Sequence, residues 1–473
     1  MEQSTMGLIS SLEVGGLRGF ADSQRSEFAI PDGKPGSGLT VLLGANNSGK
    51  STVIEALRAV TRRQNSSFAA SKRNQAFGDR VDLKLTLPSG VGSHLVSVEP
   101  SSSETRWEYG GGRGDHTYQA MFVQSRRGFD PMFGRTDIMA RHSYLLNESE
   151  HRRRPQQLDS MFASRLFKIV GDPEAKTKFD ELLAKVVVPC PNWTIDLADS
   201  DHYFIKFLLS GGASHTSDGV GEGIISLFSI LDALYDSDDQ DIIVIDEPEL
   251  SLHPQLQKRL RTVLSEHATT RQIIYTTHSP YLIDWSDIEN GARIARVYKN
   301  ENGAVQIRQA TPETLREVCR LGSDTNNPHA LGLAANEVFF LEDGVILTEG
   351  QEDVVFFEKK IDKALGMRME GSFFGWGVGG AEKMDMIMQM LSELGFRRVV
   401  AVFDGDKSAT AARIREAFPG YHIAVLPADD IRTKPARKAT SEKLGLWHDN
   451  QIDPQLRPRV EEMYKGVNEY LSG

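Results

Sequence analysis

Apolar and polar positions alternate in short runs through the first hundred residues, as in Leu12-Glu13-Val14, Val81-Asp82-Leu83-Lys84-Leu85 and Leu95-Val96-Ser97-Val98. A period of two marks half-buried strands, so these segments predict an antiparallel sheet. Between them lies a solid apolar run over 39–43, a buried strand that leads into a helix over 52–60. Residues 141–185 are richer in charge and helix formers, and Leu166, Ile169 and Val170 fall near helical spacing. A helical insertion is expected there, interrupting the first domain ahead of a second solid run over 241–246. From residue 343 strand and helix patterns alternate: strands over 345–348, 373–378, 398–403 and 421–426, with helices over 353–365, 383–394 and 410–418. Such alternation predicts a small parallel α/β domain. Met384, Ile387, Met388, Leu391 and Leu394 form one stripe, read as sheet-facing core. The break at Gly322-Ser323-Asp324-Thr325-Asn326-Asn327-Pro328 divides a first domain, 1–310, from a second, 336–473, with a linker over 311–335.

At 473 residues and 40% hydrophobic content, the chain is long enough for two or three ordinary cores. A net charge of −11 excludes a protein that coats nucleic acid through its overall field, so any DNA contact must be local. Arg126-Arg127, Arg152-Arg153-Arg154 and the stretch holding Arg432, Lys434, Arg437 and Lys438 are either phosphate-neutralising patches or solvated charged faces. No positively charged leader precedes an apolar stretch, and no apolar run approaches the roughly 20 residues that span a bilayer. A soluble, cytoplasmic protein without a membrane partner is expected. Cys190 and Cys319 lack the spacing of a zinc ribbon or a disulfide framework and are read as reduced thiols.

Gly44-Ala45-Asn46-Asn47-Ser48-Gly49-Lys50-Ser51-Thr52 is a full P-loop between a predicted strand and a predicted helix. Its glycines let backbone N–H groups wrap a β-phosphate, Lys50 reaches the β- and γ-phosphates, and the Ser51 hydroxyl is a Mg²⁺ ligand. Asn47, Ser48, Gly49 and Thr52 complete the cradle. Asp246, ending the run Ile242-Ile243-Val244-Ile245, suits the Mg²⁺ shell, and Glu247 beside it can polarise the attacking water. His278, after Ile273-Ile274-Tyr275-Thr276-Thr277, stands where a γ-phosphate sensor is expected.

Together these motifs resemble the ABC-type ATPases of the chromosome-maintenance and recombination group, over roughly residues 8–300, and Leu17-Arg18-Gly19-Phe20 looks like that group's opening strand. The resemblance implies a Mg²⁺-contacting glutamine, Gln124 or Gln119. It also implies a signature loop within Ser217-Asp218-Gly219-Val220-Gly221-Glu222-Gly223, where Ser217, Gly219 or Gly221 would cap the ATP of a partner subunit. The loop departs from the familiar Leu-Ser-Gly-Gly-Gln form. A homodimer through the ATPase heads follows, with 141–186 a possible dimerisation element and too short for a long coiled-coil arm.

Glu349 after the strand over 345–348, and Asp404 and Asp406 after the strand over 398–403, fall on one rim if that sheet is parallel. Carboxylates gathered there repel one another unless a cation joins them, which favours Mg²⁺ or Mn²⁺ and phosphodiester chemistry. Asp353 is either a further metal ligand or a helix-capping residue. The pattern Glu-Gly, then Asp-x-Asp on a later strand, resembles the TOPRIM domain, a Rossmann-like parallel sheet, over about 340–432. An ABC-type head followed by TOPRIM looks like the OLD family of ATP-dependent nucleases of bacterial phage defence, and Leu426-Pro427-Ala428-Asp429-Asp430-Ile431-Arg432 looks more like the retron-associated group. The resemblance implies an ATP-regulated endonuclease or nickase acting on DNA, with Glu349, Asp404, Asp406 and Glu247 catalytic, and a possible partner in a retron reverse transcriptase with its RNA-linked DNA. That family uses a further acid and a lysine, for which Asp429, Asp430, Lys434 and Lys438 are candidates. A non-catalytic DNA clamp with a vestigial second domain is the competing expectation. A primase would need cysteines for a zinc ribbon, and a topoisomerase room for a tyrosine-bearing domain.

Overall fold

The computed structural model describes residues 7–61, 66–108, 120–124, 132–134, 166–197, 202–208, 214–216, 222–322, 339–341, 344–375, 377–433, 445–448 and 450–472. The chain divides into two compact units, Met1–Ile307 and Arg308–Gly473.

In the first unit, β1 (Ser11–Gly15), β2 (Gln24–Glu27), β4 (Asp82–Thr86), β5 (Gly92–Ser97) and β6 (Thr105–Glu108) form an antiparallel sheet in the order β2-β1-β4-β5-β6. A second sheet runs β15-β14-β3-β13-β12-β7, built from β3 (Leu39–Leu43), β7 (Ala120–Val123), β12 (Ile242–Asp246), β13 (Gln272–Thr277), β14 (Arg293–Lys299) and β15 (Val305–Gln309). β14, β3, β13, β12 and β7 are mutually parallel. β3, β12 and β13 are buried along their whole length, which explains the apolar runs of β3 and β12, whereas β13 also buries Gln272, Thr276 and Thr277. Helix α1 (Lys50–Thr61) lies in the core with both sheets: Val53, Ala56, Leu57 and Val60 share one cluster with Leu12, Val14, Leu83 and Leu85 and with Leu42, Val244 and Ile274.

Of the expected insertion, residues 141–165 lie outside the described residues, and the described part, 166–186, is helical apart from the turn at Gly171 and Asp172. A helical turn at 166–170 precedes α2 (Pro173–Val186), where Pro173 occupies the first turn and the Asp172 carboxylate accepts the N–H groups of Glu174 and Ala175. Strands then follow that were not anticipated: β9 (Asn192–Leu197), β10 (His202–Leu208) and β11 (Ser214–Thr216), with β8 (Met132–Gly134) also pairing to β10. Their alternation is blunted because burial is one-sided. Trp193 is fully buried, whereas Leu197 and Leu208 each remain 40% exposed. Trp193 packs edge-on against Phe179 and Phe228, tying this small sheet to α2 and to α3 (Glu222–Asp236). The described residues of the unit also include helices α4 (Pro254–His267) and α5 (Trp285–Glu289).

The second unit contains a four-stranded parallel sheet, β17-β16-β18-β19, from β16 (Val345–Leu347), β17 (Ser372–Phe373), β18 (Val399–Phe403) and β19 (His422–Val425). Its helices include α6 (Pro312–Gly322), α7 (Gln351–Phe356), which runs through a π-helical turn (Phe357–Ile361) into α8 (Asp362–Leu365), then α9 (Met384–Glu393) and α10 (Ser408–Ala417). The methionine stripe of α9 is fully buried.

Three features differ from the sequence-based expectation. The strand expected over 373–378 stops at Phe373, because Gly375 and Gly377 adopt φ of 52° and 87°, outside the extended region. Much of the expected linker is α6, whose start is tied to α9: the Thr311 N–H and Thr314 hydroxyl both donate to the Glu393 carboxylate, at 2.7 and 2.8 Å. Beyond β19 the chain continues into β20 (Asp430–Arg432), β21 (Gly445–His448) and β22 (Gln451–Ile452), then α11 (Arg457–Ser472). α11 buries Val460, Tyr464, Val467 and Leu471 in one cluster with Ile346, Val400 and Val402. Among the described residues, no helix is long and apolar enough to cross a membrane.

Candidate nucleotide site and acidic rim

The strand registers carry the P-loop, the Asp246-Glu247 pair and His278 to the carboxyl-terminal edge of one parallel sheet. Leu43 pairs with Thr277, Asp246 with Thr276, and Val123 with Ile245, so Gly44, His278, Asp246 and Gln124 follow the ends of neighbouring strands. Gly44 has φ of +154°, and a Cβ there would sit 2.1 Å from the Val297 carbonyl oxygen. Only glycine fits. Gly49 (φ +114°) and Asn47 (φ 62°) supply the remaining left-handed turns of the loop, Ser48 is buried within it, and Thr52 is buried in the first turn of α1.

The Lys50 ammonium donates to the carbonyls of Gly44 and Ala45 at 2.8 and 3.1 Å. Burial pushes its pKa down, opposed by Glu247, Glu249 and Asp246. A cation withdrawn from water and held over a loop of backbone N–H groups is poised for phosphate oxygens, so the residues present fit a nucleotide. The Ser51 hydroxyl lies 3.4 Å from Asp246 Oδ1, which also accepts the Thr276 hydroxyl at 2.6 Å. A hydroxyl beside a carboxylate is the oxygen-donor set that Mg²⁺ uses alongside phosphate. Glu247, at φ 50°, is fixed by its N–H, which donates to Thr276 Oγ1 at 3.0 Å.

His278 lies between two carboxylates, its Nδ1 3.7 Å from Glu247 and its Nε2 3.7 Å from Glu249. Glu249 is the residue that the sequence motifs did not single out. It is buried, and one of its oxygens accepts both the Thr277 hydroxyl and the His278 N–H, each at 2.8 Å. The segment after the acidic strand thus sets the backbone of the next strand's end. Ser217, Gly219 and Gly221, like Gln119, Arg126, Arg127 and Arg152 to Arg154, lie outside the described residues. At the start of α3, a Cβ on Gly223 would come within 2.2 Å of the Ser251 carbonyl oxygen, so that helix end approaches the Ser251 turn closely.

In the second unit the register Leu347↔Ala401 brings Glu349 and Asp404 to the same edge of the sheet. Glu349 Oε1 accepts the Asp404 N–H at 2.9 Å. Asp404 is buried and Asp406 is exposed. Asp353 caps α7, one carboxylate oxygen accepting the Gly350 N–H at 2.8 Å. A glycine-rich turn closes the rim: the N–H groups of Gly379 and Gly380 both donate to the Glu349 carbonyl, at 2.9 and 2.8 Å. A Cβ on Gly377 would meet Gly350 Cα at 2.7 Å. Gly405 donates its N–H to the Ala428 carbonyl at 2.9 Å, which draws the segment leading to Asp429 and Asp430 against the rim. Asp429 is exposed and Asp430 buried, whereas Lys434, Arg437 and Lys438 fall outside the described residues. Among the described residues, no three His, Cys, Asp or Glu side chains are grouped so as to hold a metal ion.

The fold and this loop define a P-loop nucleotide-binding domain, joined in one chain to a unit with a parallel sheet and an acidic rim. Residues 39–284, just over half the chain, match the family described as "AAA domain, putative AbiEii toxin, Type IV TA system". The chain belongs to that family. It is 27% identical over 247 residues to the endonuclease GajA of Bacillus cereus (strain VD045), covering 51% of this chain and 36% of that relative. It is 34% identical over 120 residues to the OLD nuclease of Thermus scotoductus (strain ATCC 700910 / SA-01), covering 24% of this chain and 21% of that one. The resemblance to OLD-family ATPase nucleases read from the motifs is thus met among curated relatives, although the matched part spans only about a third and a fifth of their lengths. Among solved structures, similarity extends to an SMC head bound to the C-winged helix domain of ScpA (TM-score 0.44, 15% identity, 65% of this chain and 99% of that one). An SMC head domain from Thermotoga maritima is also similar (TM-score 0.38, 12% identity, 64% and 99%).

Proposed function

We propose that this chain is an ATP-regulated, metal-dependent DNA endonuclease or nickase serving in bacterial defence, with the second unit acting as a TOPRIM-type nuclease domain. The observation that carries the reading is the Glu349 to Asp404 contact, two acidic residues at the ends of adjacent parallel strands in a chain whose curated relatives are named as nucleases. In the first unit the P-loop from Gly44 to Thr52 binds the phosphates, Ser51 and Asp246 hold Mg²⁺, Glu247 orients and deprotonates the attacking water, and His278 senses the γ-phosphate. Gln124, which follows β7, would contact the same ion, and Ser217, Gly219 or Gly221 would cap the nucleotide of a second copy in a head-to-head homodimer.

In the second unit Glu349, Asp404 and Asp406 hold the cation, Mg²⁺ or Mn²⁺, with Asp353 positioning the helix start. Mg²⁺ commonly takes one or two protein carboxylates and fills its remaining positions with water and substrate phosphate, so a complete protein cage is not required. When bound, such an ion activates a water and stabilises the leaving oxygen of a phosphodiester. Glu349 and Asp404 orient it, and the Gly377 to Gly380 turn fixes the Glu349 backbone. Cleavage assays on supercoiled, linear and single-stranded DNA, with each metal and with or without ATP, test the reading. A neighbouring reverse transcriptase gene would identify the retron-associated group.

The competing reading is a non-catalytic ATP-driven DNA clamp with a vestigial second domain. It predicts DNA retention under ATP with no cut in any DNA form, and no effect of Glu349→Gln.

A further inference from the structure

Arg432 closes β20 with its guanidinium forked onto the Glu352 carboxylate: Nε donates to Oε2 at 2.9 Å and Nη2 to Oε1 at 2.5 Å. The two partners come from opposite flanks of the acidic rim. Glu352 lies in the first turn of α7, three residues beyond Glu349. Arg432 stands four residues beyond Ala428, whose carbonyl accepts the Gly405 N–H between the two aspartates. The Arg432 backbone is fixed, since it pairs with Trp447 of β21 and a Cβ on Gly445 would lie 1.8 Å from its carbonyl carbon. The side chains are not sequestered. They are 36% and 48% exposed, and an ion pair so open to water is weak and exchangeable.

A guanidinium that grips a carboxylate with two N–H groups offers the same fork to a phosphate. Beside a rim of negative charge, a DNA backbone needs a fixed cation to approach at all. We infer that Arg432 is the phosphate-positioning residue of the acidic rim and that Glu352 occupies it until DNA arrives. This rests on the nuclease reading above. Glu352 is then a competitor for Arg432, not a ligand of the substrate. The two side chains should therefore have opposite effects on DNA affinity.

The test uses the full chain and a short fluorescein-labelled DNA duplex, with binding followed by anisotropy in calcium and cleavage followed separately in magnesium. Arg432→Gln should weaken binding about tenfold and reduce the slope of log affinity against log salt by about one, with part of the affinity restored in Arg432→Lys. Glu352→Gln should tighten binding severalfold. A purely structural clamp between α7 and β20 would instead make Arg432→Gln and Glu352→Gln alike, both less stable and both weaker on DNA; that result, or unchanged binding in Arg432→Gln, overturns the inference. If wild type cuts DNA and Arg432→Gln matches it in affinity and salt slope, only this inference fails. If wild type neither binds nor cuts, the nuclease reading fails with it.

Discussion

At the scale of single residues, the nucleotide site depends on groups whose roles are to hold other groups in place. Glu249 accepts two hydrogen bonds at the end of β13, so Glu249→Ala leaves the Thr277 hydroxyl and the His278 N–H without that acceptor and loosens His278. A loss of about 1 to 3 kcal/mol at a buried donor corresponds to roughly tenfold or more in rate if the same geometry serves turnover. Phosphate release should therefore fall while binding of a fluorescent ATP analogue persists. Tyr464 offers a pH-dependent case. Its buried hydroxyl donates to Asp362 at 2.8 Å, and burial raises the Asp362 pKa while this bond lowers it. A raised carboxyl pKa contributes stability that is complete below the unfolded value and is lost as pH rises through the folded one. Tyr464→Phe removes the lowering influence, so it should destabilise more near neutral pH than in mild acid in thermal melts, by about 1 kcal/mol or less because the half-exposed carboxylate is screened by solvent. An equal loss at both pH values would show that Asp362 is not the cause.

At the scale of elements, what could be read from sequence follows from how one-sided the burial is. β3, β12 and β18 are buried on both faces and announced themselves as unbroken apolar runs. α9 was equally plain because Met384, Ile387, Met388 and Leu391 repeat at helical spacing and are all fully buried. Met388→Ala should accordingly cost about 2 to 5 kcal/mol in a denaturant titration of the chain. β9 and β10, half-exposed, carried a blunted alternation, and α11 hides its four buried positions within a largely polar helix. The convergence of the P-loop, Asp246 and His278 on one sheet edge was legible because each follows a strand that the apolar pattern marks. Glu249 and the Gly377 to Gly380 turn were not, because their importance lies in contacts with residues 28 and 30 positions away.

At the scale of the whole molecule, each of the two units carries its own candidate site. Lys50 and Asp246 lie in the first, Glu349 and Asp404 in the second. Separable defects follow. Lys50→Ala should weaken ATP binding about a hundredfold or more, since a charge-assisted bond to phosphate contributes a few kcal/mol, while leaving the second unit folded. The most direct measurement is cleavage of supercoiled plasmid in Mg²⁺ or Mn²⁺ by wild type, Glu349→Gln and Asp404→Asn, with ATP binding measured on the same preparations. Wild type should cut, both variants should lose cleavage, and all three should bind ATP alike. Cleavage by Glu349→Gln and Asp404→Asn at the wild-type rate, or a wild type that leaves every plasmid intact under all these conditions, would contradict the nuclease reading.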